Sequence, residues 1–332
     1  MAHGSAVERL YTLVANEEHA RACTDISDQA CREVPGNFFR MAGALVLTKM
    51  ADLLINPKTV LAWLMAAVGA PAALVAWLVP VRESGALIPQ LVIGARVRRH
   101  PHRKPFWVIG SLLQGLCVLG MAAAVWWWQG TTAGLMVIGL LVAFSLSRGL
   151  CSVAIKDVEG KTIPRNRRGR LSGLATTLSG VGTLVLTLVV FARQRDPSLV
   201  FYTGLLVGAA ALWWLAAALF SRIGEEAGET GGGGNALRQA WSRLSLLRND
   251  PPFRHFVLTR ALLMASALGA PFLVILSQNG GSGWLLGSFV LASALASTVS
   301  AGFWGWMADA SSRRVMLRGG ALAALICLSG GG

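Results

Sequence analysis

Apolar runs of about 20 residues, separated by short polar segments, dominate the pattern of this chain. The clearest lies between Lys104 and Arg148, where no residue is charged and Gln129-Gly130-Thr131-Thr132 divides the run in two. Each half is long enough to cross a hydrocarbon core as a helix, for which roughly 20 residues suffice. The runs are apolar on every face, whereas the strands of a membrane barrel alternate apolar and polar positions. In lipid a helix satisfies its own backbone, so an all-α chain is expected. The pattern predicts spans at 44–67, 72–95, 105–127, 131–154, 171–192, 199–220, 256–278 and 284–306. Lys49, Asp52 and Lys58 interrupt the first, and Pro57 is placed to kink it. A competing division makes 58–80 the first span and leaves 82–95 as a loop.

Loop charge decides between the two. Arg96, Arg98, Arg99, Arg103 and Lys104 follow the second span, and the next turn is uncharged. Lys156, Lys161, Arg165, Arg167, Arg168 and Arg170 follow the fourth, and only Arg193 and Arg195 the fifth. Arg222, Arg238, Arg243, Arg248 and Arg254 follow the sixth; the turn at Asn279–Gly283 has none; Arg313, Arg314 and Arg318 come next. Lys and Arg thus alternate between rich and poor loops, and the positive-inside rule makes the rich ones cytoplasmic. Two spans before residue 96 place the N-terminus, with Arg9, Arg21, Arg32 and Arg40, inside as well. A multi-pass protein of a bacterial-like inner membrane is expected.

Composition agrees. Mean hydropathy is +0.56, and only 14% of residues are charged, against roughly 25% in soluble chains. The net charge of +14 would suit a nucleic-acid partner if it were clustered on one surface, but it sits at the ends of apolar runs. The lipid bilayer is the expected partner, and nucleic acid is not. Residues 1–37 are mixed and acidic, without the basic-then-apolar start of a signal peptide. His19, Cys23 and Cys31 match no standard zinc spacing, and reduced thiols are expected there. Neither metal nor cofactor is expected. No nucleophile elbow or metalloprotease motif occurs. Gly160-Lys161-Thr162 imitates the end of a phosphate-binding loop, but Ile155 stands where its first glycine belongs. An enzyme is therefore not expected.

Gly305, Asp309, Ser312, Arg313 and Arg314 form a tight basic turn between two apolar segments. A glycine, an acid four residues on, a small residue and an arginine pair resemble the G-x-x-x-D-x-x-G-R-R loop of the major facilitator superfamily, with Ser312 for the second glycine. Ile163-Pro164 followed by Arg168-Gly169-Arg170 resembles that family's loop between helices 4 and 5. Aligned on Gly94, the first-half counterpart carries Arg98 in place of the acid and Pro101 in place of the second glycine. Gly173, Gly180 and Gly182 are not followed by the proline of the drug-antiporter signature. The resemblance implies a six-plus-six helix architecture with the second half incomplete, and a secondary transporter of a small solute. On that reading 1–37 is a cytoplasmic N-terminal segment, 38–222 the first six-helix bundle, 223–255 a cytoplasmic linker and 256–332 part of the second bundle. Gly231–Gly234 with Glu225, Glu226 and Glu229 reads as a solvated stretch of that linker. Leu237, Trp241, Leu244 and Leu247 suggest an amphipathic helix after it. A transporter-like sensor or scaffold is the rival.

Ionisable residues inside spans carry the functional signal, because each costs at least about 2.5–3.5 kcal/mol at mid-membrane on insertion scales. They are Lys58 near Asn56, Lys49 and Asp52 in helix 1, Arg82 and Glu83 in helix 2, Arg148 in helix 4 and Arg260 in helix 7. In the family, helices 1, 4, 7 and 10 line the cavity. By resemblance Lys58, Arg148 and Arg260 share one basic cavity suited to an anionic substrate. The competing reading is internal pairing of Lys49 with Asp52 and of Arg82 with Glu83. Asp52 and Glu83 are the carboxyls open to proton coupling. The resemblance gives Gly305, Asp309, Arg313 and Arg314 a gating role.

Overall fold

A computed structural model describes residues 27–87, 90–191, 198–230, 245–265 and 288–293, with isolated positions 7, 10, 11, 295, 296, 319 and 321. Every regular element among them is helical. Helix α1 spans Asp28–Leu54 and α2 Val60–Ala67; α3 (Ala72–Ala76), α4 (Leu78–Leu87) and α5 (Gln90–Val97) follow. The long helices α6 (Lys104–Trp127), α7 (Gly130–Thr162), α8 (Arg165–Phe191) and α9 (Leu199–Phe220) come next, then α10 (Ser245–Asn249) and α11 (Pro251–Ala265). Segments of α6, α7, α8 and α9 are long and apolar enough to cross a membrane. Helices over 78–87 and 90–97 remove the competing division that left 82–95 as a loop.

Helix α1 begins well before the predicted span. Ser27 caps it, its hydroxyl accepting from the Ala30 N–H (3.1 Å), and Asp28 stands in the first turn. Apolar patterning marks only the part of a helix that meets lipid, so a polar extension is invisible to it. The helix stops after Leu54 because Pro57 has no N–H to give and disfavours the helical conformation of Asn56. Asn56 then restarts it: its side-chain oxygen accepts from the Lys58 N–H (2.9 Å) and its carbonyl from the N–H groups of Thr59 (3.2 Å) and Leu61 (3.1 Å). The segment expected as the first span is therefore two helical pieces, with Asp52, Asn56 and Lys58 around the break.

Helix α1 packs on α7, α8 and α9; α6 packs between α7 and α9; α4 and α5 lie against α7. The core occupies these contacts. Phe144 of α7 meets Trp213 of α9 edge-on (centroids 5.1 Å apart), and Trp107 stacks on Phe220 nearer the basic end (3.9 Å). Outward faces keep large apolar side chains exposed, among them Leu116, Leu135, Val185 and Val189, as lipid-facing helices do and soluble ones rarely do. Trp126, Trp127 and Trp128 are exposed at the end of α6. Close approach of α6 and α7 needs Gly110, whose added Cβ would sit 2.6 Å from Cys151 Sγ and 3.0 Å from the Ser147 carbonyl oxygen. Gly110→Ala should therefore cost about 1–3 kcal/mol, read as earlier thermal unfolding in detergent. An unchanged melting curve would show that the two helices part freely.

Charge separates the two ends of the bundle. At one end the uncharged turns meet, the Gly130 N–H donating to the Val68 carbonyl (2.7 Å). At the other, residues 221–230 lie across the basic loops, which corrects the expectation of a solvated side chain at Glu225, while Glu229 is exposed. The Glu225 side chain is only 1% exposed. It accepts from the Arg103 N–H (2.9 Å), the Lys104 N–H (2.7 Å) and Lys161 Nζ (2.9 Å). Glu226 accepts from Ser27 Oγ (2.7 Å), and the Glu229 carbonyl accepts from Arg103 Nη2 (2.7 Å). At Glu225, charge pairing with the basic loops outweighs the solvation that composition suggested. Of the later linker, Leu247 lies in α10, while Leu237, Trp241 and Leu244 fall outside the described residues.

One cysteine expectation is also corrected. Cys31 is disulfide-bonded, while Cys117 and Cys151 are free. Sequence spacing says nothing of which thiols approach in space, and that approach decides pairing. An oxidised Cys31 offers no thiolate to a metal; His19 and Cys23 lie outside the described residues.

Candidate functional site

The break in the first passage opens onto a cavity of about 420 Å³ lined by Asp52, Asn56, Pro57, Lys58, Arg82, Glu83, Gln90, Arg148 and Ser152. Six sequence-nominated residues, Asp52, Asn56, Lys58, Arg82, Glu83 and Arg148, thus share one cavity. A second cavity, about 340 Å³, shares Asp52 and Asn56 with it and adds Lys49, Leu53, Thr176, Ser179, Gly180, Thr183 and Ser293.

Asp52 is the hub. Its Oδ1 accepts from Arg82 Nη2 (2.7 Å) and its Oδ2 from Arg148 Nη2 (2.5 Å). One carboxylate from α1 therefore joins two guanidiniums, from α4 and α7. The three side chains are 14–24% exposed, partly withdrawn from water but open to the cavity. A further contact fixes Arg82. Its guanidinium lies 4.8 Å from the centroid of Phe144, a cation–π geometry. Helix α4 also comes close to α7 at Gly85, where an added Cβ would meet Ser145 Cβ at 2.9 Å.

These contacts correct both same-helix pairings. Asp52 takes Arg82 and Arg148 rather than Lys49, whose Nζ donates instead to Thr176 Oγ1 (2.7 Å). Arg82 turns to Asp52 rather than Glu83, which is exposed. Helical spacing brings Lys49 within reach of Asp52, but a planar guanidinium on a facing helix makes the stronger directed contact. Lys58 has no hydrogen-bond or ionic partner for its ammonium among the described residues, although its backbone is fixed by Asn56.

Sequence reading missed the wall on α8. Thr176, Ser179, Thr183 and Thr187 recur at helical spacing and place four hydroxyls on one face. Three of them, Ser179, Thr183 and Thr187, are at most 6% exposed. Arg260 falls in α11, outside the description of side chains, and Gly305, Asp309, Arg313 and Arg314 lie outside the described residues.

A bundle of apolar helices, several long enough to cross a membrane, around a charged cavity makes this an all-α polytopic membrane protein. The sequence matches the profile of the Major Facilitator Superfamily over residues 41–331, and the chain belongs to that superfamily of membrane transporters. A search among curated proteins finds no match.

Proposed function

We propose that the chain moves a small anionic solute by alternating access, with the solute held in the paired cavities around Asp52. The Lys58 ammonium, which has no hydrogen-bond or ionic partner among the described residues, is the observation that carries this reading. Lys49, Lys58, Arg82 and Arg148 face two acids, Asp52 and Glu83, across the cavities. Asp52 answers two of the four cations, and Lys49 is turned to a hydroxyl. An anion entering beside Lys58 meets a charge that costs nothing to release from another partner. Broken helices at transport sites free backbone groups in the same way. Asp52 and Glu83 are the carboxyls through which a proton would be coupled to this movement, tested by flux under an imposed pH gradient; flux indifferent to that gradient removes the coupling.

The test is flux in proteoliposomes holding the full chain, challenged with small carboxylates and phosphorylated solutes and, in parallel, with neutral and cationic ones. An anion should be carried, and Lys58→Met should weaken its binding about ten- to a hundredfold, the loss of one charge-assisted contact, with the melting temperature unchanged. Carriage of neutral solutes alone, or of anions with undiminished affinity in Lys58→Met, removes the proposal.

We also place the Lys- and Arg-rich end of the bundle in the cytoplasm of a bacterial-type inner membrane, on the strength of the charge asymmetry. In a cysteine-free background, a cysteine at Gln129 should react with an impermeant reagent added outside, and one at Lys161 should not. The reverse pattern would overturn the orientation.

A further inference from the structure

A third cavity, of about 460 Å³, lies at the basic end of the bundle, away from Asp52. Four cations line it: Arg32 and Arg40 from α1, Lys104 from the start of α6, and Arg222 just past α9. Glu33 is the one acid in its wall among the described residues. Two of the cations are preset. Arg40 Nη1 donates to the Arg222 carbonyl (2.7 Å) and Lys104 Nζ to the Ile223 carbonyl (2.9 Å). Each contact uses one donor of a group that has three or five, so both still present N–H groups to a ligand. The floor is rigid because Asn37, fully buried, exchanges two 3.0 Å hydrogen bonds with the Gly224 backbone. Arg32 and Arg222 are exposed, and neither side chain has an ionic partner among the described residues.

The cavity also adjoins an apolar track. Val200, Val207 and Trp214 are exposed and recur every seven residues on α9, and the next step of seven is Ser221 in the cavity wall. Seven residues are close to two helical turns, so the three share a face that ends at the cavity. A ligand with an anionic head and apolar chains matches both features, and basic pockets at the ends of membrane helices bind phospholipid head groups.

We infer that this cavity holds the phosphate of an anionic phospholipid, with Arg40 and Lys104 as preset donors, Arg32 and Arg222 closing over it, and the acyl chains lying along the part of that face nearest the cavity, at Trp214 and Val207. The ligand chemistry is a phosphoryl anion, and its source is the bilayer.

Titration of the purified full chain in neutral detergent tests this, with dihexanoyl phosphatidylglycerol below its micelle concentration, dihexanoyl phosphatidylcholine and inorganic phosphate as probes. The anionic lipid should bind more tightly than either of the others. Arg32→Gln combined with Arg222→Gln should weaken it about thirtyfold, two surface charges lost, with the melting temperature of the ligand-free protein unchanged. Glu33→Gln should move affinity the other way, about fivefold tighter, and reads the site independently should the double variant unfold. Equal binding of inorganic phosphate assigns the site to a soluble anion and overturns the lipid source. Equal binding of phosphatidylcholine, or affinities unmoved in both variants, overturns the site itself.

Discussion

Asp52→Asn should lower the stability of the bundle by about 2–3 kcal/mol, measured as a fall in melting temperature in detergent. The carboxylate joins Arg82 at 2.7 Å and Arg148 at 2.5 Å, so an amide leaves two guanidiniums with no negative charge between them. Removing one partner of a fully buried pair costs about 3–5 kcal/mol; the cavity admits water here, which screens the remaining charges and reduces that figure. Because each arginine meets a different carboxylate oxygen, the single amide oxygen replaces the acceptor of one, and the NH₂ then faces the other as donor against donor. The double change Asp52→Asn with Arg82→Gln should recover part of the loss, because only one unanswered cation then remains. A single variant that melts with the wild type would show that cavity water already carries these charges, and that Asp52 is not the hub of the site.

Each member of this trio was legible as a charge inside a membrane span, but their grouping was not. Helical spacing compares residues on one helix, so it offered Lys49 for Asp52 and Glu83 for Arg82. The actual contacts join α1, α4 and α7, and they depend on the approach at Gly85 and Ser145 and on the Phe144 ring beneath Arg82. Spacing along a chain holds no trace of such a meeting. The break at Pro57 was readable because proline acts on its own helix. The hydroxyl face of α8 was written in the sequence at intervals of three and four, yet serine and threonine are ordinary in membrane helices and nothing marked these as a cavity wall. Residues 221–230 misled because acids beside a glycine run suit a solvated linker. The contrary signal lay more than a hundred residues away, at Arg103-Lys104-Pro105. A helix that opens on two cations and a proline lacks the side-chain acceptor that a helix start usually has, and another part of the chain must supply one.

Glu225 supplies it, and its removal is the other change with a large expected effect. Helix α6 has no side-chain cap of its own. The Glu225 carboxylate accepts from the N–H groups of Arg103 and Lys104 at 2.9 and 2.7 Å while also holding Lys161 Nζ at 2.9 Å. A negative group at a helix N-terminus is favoured by the peptide dipoles as well as by the hydrogen bonds, and this one is 1% exposed. Glu225→Ala therefore strands two backbone donors and leaves the Lys161 ammonium with the Pro101 carbonyl but without its counter-charge, and should cost about 3–5 kcal/mol. Glu225→Gln keeps one acceptor oxygen and should fall between Ala and wild type. Because Glu225 also anchors the 221–230 segment to the basic loops, limited proteolysis should cut that segment faster in Glu225→Ala, before global unfolding. Lys161→Met alone should leave the segment protected, because the two backbone N–H groups still hold the carboxylate. Equal melting and equal cleavage of Glu225→Ala and wild type would mean that water caps α6 as well as Glu225 does, and that the segment is held by other contacts, such as the Asn37–Gly224 pair.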